Sequence, residues 1–273
     1  MQPDKSELGK QSRYDTEYNP DKLFPIPRKA NRDSIQVPEK LPFYGFDLWN
    51  HYEVSWLNEK GKPVVALAEI IYNCESLYLI ESKSMKLYFN SFNNTKFKDA
   101  ESLLALIKKD LEIRIGAPVS IKLTQINHTN ELKLTPRFEG ICLDDLDIDC
   151  SIYTTQPEFL KTEKEEVSEV LFSDLLKANC LVTNQPDWGS LQIIYKGKKI
   201  NHEGLLRYIV SFRNTNEFAE LCVERVFMDI MRQCKPKELT VYARFTRRGG
   251  LDINPYRSTL KSEAITDTRL VRQ

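Results

Sequence analysis

One thiol and one carboxyl group stand close together in the stretch Cys180-Leu-Val-Thr-Asn-Gln-Pro-Asp187-Trp-Gly-Ser190. A cysteine attacks electrophilic carbon as its thiolate, and a nearby carboxyl group can give a proton to the attacked substrate. The three histidines lie far from this stretch in sequence, at positions 51, 128 and 202, so spacing does not indicate a Cys-His pair. The alternative is that Cys180 is a small buried residue without a chemical role.

Two other stretches carry groups that suit an anionic ligand. Lys83 and Lys86 lie among small hydroxyl residues, a composition that can hold phosphate oxygens. Arg247-Arg-Gly-Gly250 pairs two guanidinium groups with two glycines, which lets the backbone approach an anion closely. The alternatives are a charged outer face for the lysines and an ordinary surface turn for the arginines.

A pair of acids, Glu217 and Glu220, is three residues apart and is expected on one face of the helix that follows the second copy of the repeat described below. Such a carboxylate either faces solvent or accepts two parallel N–H bonds from a guanine-like edge. The spacing alone leaves both roles open.

Composition bounds the class of protein. Lys plus Arg and Asp plus Glu both total 39, and this zero net charge argues against a surface built mainly for nucleic acid. The six cysteines show no CxxC and no metal-ligand spacing to histidine, so we expect no metal site. The chain has neither the apolar core of a signal peptide nor a run of about 20 apolar residues. We therefore expect a cytosolic protein with free thiols.

The elements that must position these residues follow a repeated pattern. The segment Ser91-Phe-Asn-Asn-Thr95 recurs as Ser211-Phe-Arg-Asn-Thr215, 120 residues later. After each copy come apolar residues at helical spacing and then an alternating strand, 119–123 or 239–245. The helical positions are Leu103, Leu104, Ile107 and Leu111 in the first copy and Phe218, Leu221, Cys222, Val226 and Ile230 in the second. Strand-like runs precede each copy, so the pattern predicts an α+β tandem duplication with helices on one face of an antiparallel sheet.

The boundaries predicted from composition give four segments. Residues 1–40 form an extended N-terminal arm, 41–145 a first module, 146–166 an acidic linker and 167–273 a second module. Within the second module, the run Glu169-Val-Leu-Phe-Ser-Asp-Leu-Leu-Lys-Ala-Asn179 has helix-like apolar spacing, which predicts that Cys180 follows a helix.

Four motifs in order resemble those of a known family. They are Glu81-Ser-Lys-Ser-Met-Lys86 followed by Leu-Tyr, the stretch from Cys180 to Trp188, the segment from Ser211 to Arg225, and the segment from Arg247 to Arg257. Together they resemble the NADPH-dependent 7-cyano-7-deazaguanine reductases of queuosine biosynthesis, in their long two-module form. The likeness runs over nearly the whole chain, from Leu-Pro-Phe-Tyr-Gly-Phe-Asp-Leu-Trp to the terminal Arg-Leu-Val-Arg-Gln.

The resemblance implies a fold, a reaction and a set of site residues. The fold would be the tunnelling fold, with two tandem ferredoxin-like modules, commonly assembled as a homodimer with active sites in clefts. Cys180 would add to the nitrile carbon to give a covalent thioimide, Asp187 would donate the proton, and NADPH would be the cofactor. The residues expected to hold the deazaguanine are Ile80, Glu81, Ser82 and Glu220, with Ala219 as a pocket wall. Those expected to hold NADPH are Ser82, Lys83, Arg248 and Gly249.

The chain departs from the family pattern at two positions. Family members usually carry histidine where this sequence has Thr215 and Ala219. The histidine directly before the substrate-binding glutamate contacts the nucleobase and helps to move protons, and Ala219 can do neither. We expect binding and thioimide formation to persist and reduction to slow by a factor of about 10², unless another group or water supplies the proton.

Two other functions compete with the reductase. A relative that uses the same cysteine to form an amidine on tRNA predicts a basic face and no nicotinamide site, which the Glu81–Lys86 motif and the zero net charge disfavour. A catalytically impaired deazapurine-binding protein is suggested by Ala219, and the retained Cys180 and Asp187 argue against it. Incubation with 7-cyano-7-deazaguanine separates the three by NADPH oxidation, by a stable adduct or by dependence on tRNA.

Overall fold

The computed structural model describes residues 14–126, 134–261 and 269–273. The chain is a mixed α+β protein that divides into two compact units. Unit 1 takes the described parts of residues 1–31, 47–132 and 247–252, and unit 2 takes those of 32–46, 133–246 and 253–273. Within the described ranges, no helix is long and apolar enough to cross a membrane.

The described residues form twelve strands and five α-helices. The strands are β1 (Pro25–Pro27), β2 (Tyr44–Leu57), β3 (Pro63–Asn73), β4 (Tyr78–Ile80), β5 (Val119–Gln125), β6 (Leu134–Thr135), β7 (Ile141–Cys142), β8 (Thr162–Asn179), β9 (Pro186–Ile200), β10 (Glu238–Phe245), β11 (Leu251–Ser258) and β12 (Arg269–Leu270). The helices are α1 (Arg28–Ser34), α2 (Ser82–Asn90), α3 (Ala100–Ile115), α4 (His202–Ser211) and α5 (Ala219–Gln233).

Unit 1 is built on a sheet with the strand order β5-β3-β2, in which β3 and β5 are antiparallel. Helix α3 begins after Asp99, whose carboxylate accepts the Ser102 N–H, and it ends at Gly116 in the left-handed region with φ +71°. Leu103, Ile107 and Leu111 recur every four residues or so and are fully buried. This apolar stripe is the face that α3 packs toward β5.

Unit 2 is built on the strand order β11-β10-β9-β8-β7. Each of the first four strands is antiparallel to its neighbour, and β7 joins β8 in parallel through Ile141 and Leu171. Helix α4 packs toward β8 and α5 toward β10. The buried residues of α5 include Cys222, Val226 and Ile230, as the apolar spacing predicts. The expected α+β class is therefore confirmed.

The segment before Cys180 is a strand, so the prediction of a helix over 169–179 is wrong. The reason is an irregularity in β8, where the pairing with β9 shifts register between Ser173 and Leu176. Leu171, Phe172 and Ser173 are all buried, and alternation resumes only at Leu176. Because of this interruption, the apolar residues of β8 follow one another at intervals typical of a helix. Each half of the strand on its own keeps the two-residue period of a strand.

Two other expectations need correction. Residues 14–40 are not uniformly extended, because β1 and α1 form there and residues such as Leu23 and Ile26 are buried; residues 1–13 lie outside the described part. Glu217 lies before α5 rather than within it, since Phe218 is the N-cap and the helix begins at Ala219. The two acids therefore do not share a helix face.

The two units contain a matching tyrosine–aspartate pair. In unit 1, Tyr88 of α2 donates its hydroxyl to Asp110 of α3 at 2.7 Å. In unit 2, Tyr208 of α4 donates its hydroxyl to Asp229 of α5 at 2.8 Å. The helix ends match as well, because the serine at the C-terminal end of each helix, Ser91 or Ser211, donates its hydroxyl to the carbonyl of the tyrosine three residues before it at 2.6 Å. The sequence repeat thus corresponds to a repeat of internal contacts.

Candidate active site

The predicted nucleophile stands at the end of a β-hairpin. Strands β8 and β9 pair through Ala178 with Asp187 and through Asn179 with Pro186. The ladder continues by one hydrogen bond, from the Cys180 N–H to the Gln185 carbonyl at 2.8 Å. The loop then closes on itself, because the Asn184 N–H donates to the Cys180 carbonyl at 3.1 Å. Both the N–H and the carbonyl of Cys180 are therefore fixed by backbone hydrogen bonds across the turn.

The hairpin places the thiol and the carboxyl group on one face. Cys180 lies two residues beyond Ala178, and residues two apart in a strand point to the same side. Asp187 is directly opposite Ala178, and cross-strand partners also point to the same side. Cys180 and Asp187 are thus diagonal neighbours, with Cys180 only 5% exposed and Asp187 half-buried. This arrangement suits a nucleophile with an adjacent acid.

A third segment runs beside the residue that precedes the thiol. The Asn179 N–H donates to the Thr215 carbonyl at 2.8 Å, and the Glu217 N–H donates to the Asn179 carbonyl at 3.0 Å. This parallel bridge brings the approach to α5 next to the end of β8. Ala219 and Glu220 follow as the first two residues of α5, with Ala219 half-buried and Glu220 only 2% exposed.

The acids of this region are desolvated. Burial raises the pKa of Glu217, and the Arg225 guanidinium opposes that rise, with its Nε donating to Oε1 at 2.5 Å. Burial also raises the pKa of the Cys222 thiol well above its usual value, with smaller contributions from the charges of Glu217 and Asp187. Both carboxylates therefore lie within electrostatic reach of Cys222 in α5.

In unit 1, Glu81 joins β4 to α2. Its carboxylate caps the helix, accepting the N–H of Lys83 at 2.7 Å and that of Ser84 at 2.8 Å. Burial raises the pKa of Glu81, and these two backbone bonds and the charge of Lys83 oppose the rise. The capping role was not foreseen from the sequence, because glutamate is not among the residues preferred at the N-cap.

The arginine–glycine stretch forms a tight turn in unit 1. The Arg248 N–H donates to the Leu251 carbonyl at 2.8 Å, and Gly249 and Gly250 adopt φ +62° and +78°. A Cβ on Gly249 would stand 2.7 Å from the Lys86 Nζ, so the glycine makes room for that ammonium group. Lys83 lies one turn before Lys86 on α2. Two lysines and a glycine turn fit the phosphate groups of a nucleotide cofactor.

His51 supports this turn, and sequence reasoning missed it. Its Nδ1 donates to the Gly250 carbonyl at 3.0 Å, and its ring lies edge-on to Phe89. Burial and, to a smaller extent, the charge of Lys86 lower the pKa of His51 to about 4, although the hydrogen bond to the Gly250 carbonyl opposes this shift. The imidazole is therefore neutral at pH 7. No local pattern marks a histidine whose role depends on a residue 199 positions away.

The predicted site residues fall into two groups. Unit 2 holds Cys180, Asp187, Ala219 and Glu220, and unit 1 holds Ile80, Glu81, Ser82, Lys83, Arg248 and Gly249. In unit 2, the pairing of β8 with β9 and the bridge between Asn179 and Asn216 bring the members together. In unit 1, Lys86 of α2 approaches Gly249 of the turn. In the described part of the chain, no cluster of three or more His, Cys, Asp or Glu side chains is arranged to hold a metal ion.

These features describe a class of protein: an α+β protein with a carboxyl group beside a buried cysteine on a hairpin, and with a glycine turn next to cationic side chains. Two family models match the chain. One, described as "Nitrile reductase, 7-cyano-7-deazaguanine-reductase N-term", covers residues 14–123, and the other, described as "QueF-like protein", covers residues 186–264.

Curated relatives match over almost the full length. A NADPH-dependent 7-cyano-7-deazaguanine reductase of Legionella pneumophila (strain Lens) is 62% identical over 93% of this chain and 90% of its own length. One of Coxiella burnetii (strain CbuK_Q154) is 53% identical over 99% of this chain and 97% of its own length. The chain belongs to the family of NADPH-dependent 7-cyano-7-deazaguanine reductases.

Proposed function

We propose that this chain reduces the nitrile of 7-cyano-7-deazaguanine to the aminomethyl group of 7-aminomethyl-7-deazaguanine, with NADPH as reductant, in queuosine biosynthesis. The observation that carries the proposal is the common face of Cys180 and Asp187 on the β8–β9 hairpin, in a chain 62% identical to a reductase of that name. The product serves tRNA modification, and the protein itself needs no direct contact with nucleic acid.

The finer architecture is also a proposal. We assign the tunnelling fold, with ferredoxin-like modules over 41–145 and 167–273, an N-terminal arm over 1–40 and a linker over 146–166. The recurring tyrosine–aspartate contacts of the two units support a duplicated module. By family likeness the assembly is a homodimer. All six cysteines lie in described residues as free thiols, which supports a reducing compartment such as the cytoplasm.

The covalent step belongs to Cys180. Its sulfur forms a bond to the nitrile carbon while one π bond of the nitrile breaks, and a proton reaches the nitrogen to complete the thioimide. Asp187 is the proton donor, since it faces the same side of the hairpin as the thiol. A nitrile accepts hydride poorly, and the thioimide offers a protonatable C=N bond instead. This chemistry explains a cysteine and an acid without a histidine partner.

Family likeness assigns one acid of each sequence repeat to the base. Glu220 is nearly fully buried in the first turn of α5, where a carboxylate can accept two parallel N–H bonds from a guanine-like edge. Glu81, with Ile80 and Ser82, provides the other contacts. Because the two oxygens of Glu81 already accept backbone N–H groups, any bond to the base uses their remaining lone pairs.

The cofactor residues fit a phosphate-bearing nucleotide. NADPH bound there would supply the hydrides that nitrile reduction requires. Ser82 and Lys83 offer a hydroxyl and an ammonium group at the start of α2, and Arg248 and Gly249 offer a guanidinium group and close backbone approach. His51 holds the Gly250 carbonyl, which keeps the turn in one conformation.

Mass spectrometry and NADPH absorbance test this function. The protein incubated with 7-cyano-7-deazaguanine should gain the mass of the base at Cys180, and NADPH should then be oxidised. Cys180→Ala should abolish both the adduct and the oxidation while noncovalent binding remains. Asp187→Asn should reduce the rate more than the affinity. If Cys180→Ala still oxidised NADPH with the nitrile present, the covalent route would be refuted.

A further inference from the structure

One buried carboxylate oxygen next to the nucleophile has an unmet hydrogen-bonding need. Glu217 is 5% exposed, and its Oε1 accepts the Arg225 guanidinium. Its Oε2 is buried, and none of the residues that the structure describes donates a hydrogen bond to it. Leaving a buried acceptor unpaired costs about 1–3 kcal/mol, so such an atom is expected to meet a donor from a ligand.

Backbone pairing places Glu217 beside the residue that precedes the nucleophile. The Glu217 N–H bonds to the carbonyl of Asn179, the residue directly before Cys180. Its charge also reaches Cys222, as does that of Asp187. A rigid bicyclic base whose nitrile carbon meets the Cys180 sulfur must extend its other edges over the immediate neighbours of that cysteine. Glu217 is one of these neighbours.

The surroundings of Glu217 are suited to an N–H donor. Arg225 neutralises one oxygen, while Asp229 nearby adds negative charge. Burial raises the pKa of Glu217, so a further donor at Oε2 would stabilise its ionised form. Deazaguanine carries N–H groups on its pyrimidine ring, on its exocyclic amine and on its five-membered ring. Glu220 can take two of them as a parallel pair.

We propose that Glu217 is a further substrate-binding residue, whose Oε2 accepts an N–H of the bound deazaguanine. Arg225 is the positioning residue that fixes the carboxylate through Oε1. The inference rests on the proposed function, because it takes 7-cyano-7-deazaguanine as the ligand. This contact would also compensate for Ala219, which lacks the base-contacting histidine side chain usual at that position.

Calorimetric titration with 7-cyano-7-deazaguanine tests the inference, in a Cys180→Ala background that removes the covalent step. Adding Glu217→Gln should weaken base affinity by about tenfold to a hundredfold, the value of a hydrogen bond to a charged group. The matched control is Glu224→Gln, a buried glutamate of α5 whose two oxygens are both engaged by arginine. It should lower the melting temperature and leave base affinity within about threefold, because neither oxygen of Glu224 is open to a donor from the base.

Base analogues identify the contact without relying on one variant. The analogues are a base methylated at the N–H that meets Oε2 or, when the exocyclic amine is the donor, a base without that amine. Either change should weaken binding to Cys180→Ala. In Cys180→Ala/Glu217→Gln the same change should cause no further loss of affinity. Glu217→Asp withdraws the carboxylate by one methylene and keeps its charge, so it serves as a second variant should the glutamine form not fold. Unchanged affinity in the substituted proteins overturns this inference alone. Absence of base binding by Cys180→Ala and by the unsubstituted protein overturns the proposed function and this inference with it.

Discussion

Replacing Gly249 with alanine should weaken NADPH binding and leave the chemistry of Cys180 intact. Gly249 sits in a left-handed conformation at φ +62°, and its missing side chain leaves room for the Lys86 ammonium group. The thiol and its acid belong to unit 2, whereas Gly249 and Lys86 belong to unit 1. The substitution therefore separates cofactor binding from thioimide formation.

The magnitude has two parts. An alanine in the left-handed region costs about 1–2 kcal/mol of folding stability, which corresponds to a drop of roughly 2–8 °C in melting temperature. The new Cβ would lie 2.7 Å from the Lys86 Nζ, so the flexible end of that side chain must move away. Losing one charge-assisted bond to phosphate weakens cofactor binding by about 1.5–3 kcal/mol, or roughly tenfold to a hundredfold in KM for NADPH.

The assay compares this variant with Gly116→Ala, a matched control in the same unit. Gly116 also has a left-handed φ, +71°, but a Cβ there would meet only ordinary contacts at 3.6–3.8 Å. Both variants should lose similar thermal stability. Only Gly249→Ala should raise KM for NADPH, and both should form the Cys180 adduct with 7-cyano-7-deazaguanine at the parent rate.

An unchanged KM for NADPH in Gly249→Ala, with the expected loss of stability, would refute the reasoning that the turn and Lys86 face the cofactor. A loss of adduct formation in the same variant would refute the division of binding and covalent chemistry between the two sets of residues. Equal increases in KM for both alanine variants would assign the effect to general destabilisation.

Three further outcomes are expected. Ala219→His should raise turnover by about 10² by restoring a general acid–base group, and unchanged turnover with normal folding would show that another group already supplies the proton. His51→Gln should flatten the pH dependence of stability between about pH 6.5 and 4, as measured by urea unfolding. Because the folded pKa of about 4 lies below the unfolded value, the unfolded chain binds more protons in that pH window. The free energy of unfolding of the parent should therefore fall by about 3 kcal/mol as the pH drops through the window. Equal slopes of stability against pH in both proteins would contradict this reasoning. Gly45→Ala should destabilise the fold by about 2–4 kcal/mol, since its Cβ would stand 2.0 Å from the Tyr256 carbonyl oxygen; an unchanged melting temperature would show that the backbone yields easily.

Regular periodicity made much of the fold predictable from sequence. The helix over Leu103–Leu111 and the strands 119–123 and 239–245 were predicted because each keeps one period throughout. Strand β8 was mistaken for a helix because its irregularity at Ser173–Leu176 breaks the two-residue alternation. Backbone N–H groups there bond to side chains, such as Asp174 N–H to Asp144 at 2.8 Å, and no local pattern signals that compensation.

The candidate site was predictable where its chemistry lies in one motif. Cys180 and Asp187 stood out as a thiol and an acid on one turn, and the hairpin explains their common face. Contacts between distant segments were not accessible in the same way. Glu217 meets Arg225 and the Asn179 backbone only because α5 begins beside the end of β8, and His51 reaches the Gly250 carbonyl from another strand.

The tyrosine–aspartate contact occurs in each unit, and within the described part of the chain the two copies differ in the number of tyrosines that the aspartate binds. Asp229 accepts the hydroxyl of Tyr208, whereas Asp110 accepts both Tyr88 and Tyr18, the latter also at 2.7 Å. The extra tyrosine ties the segment before β1 to α3. In unit 1 the repeated contact therefore also fastens a neighbouring stretch of the chain, whereas the contact in unit 2 joins its two helices.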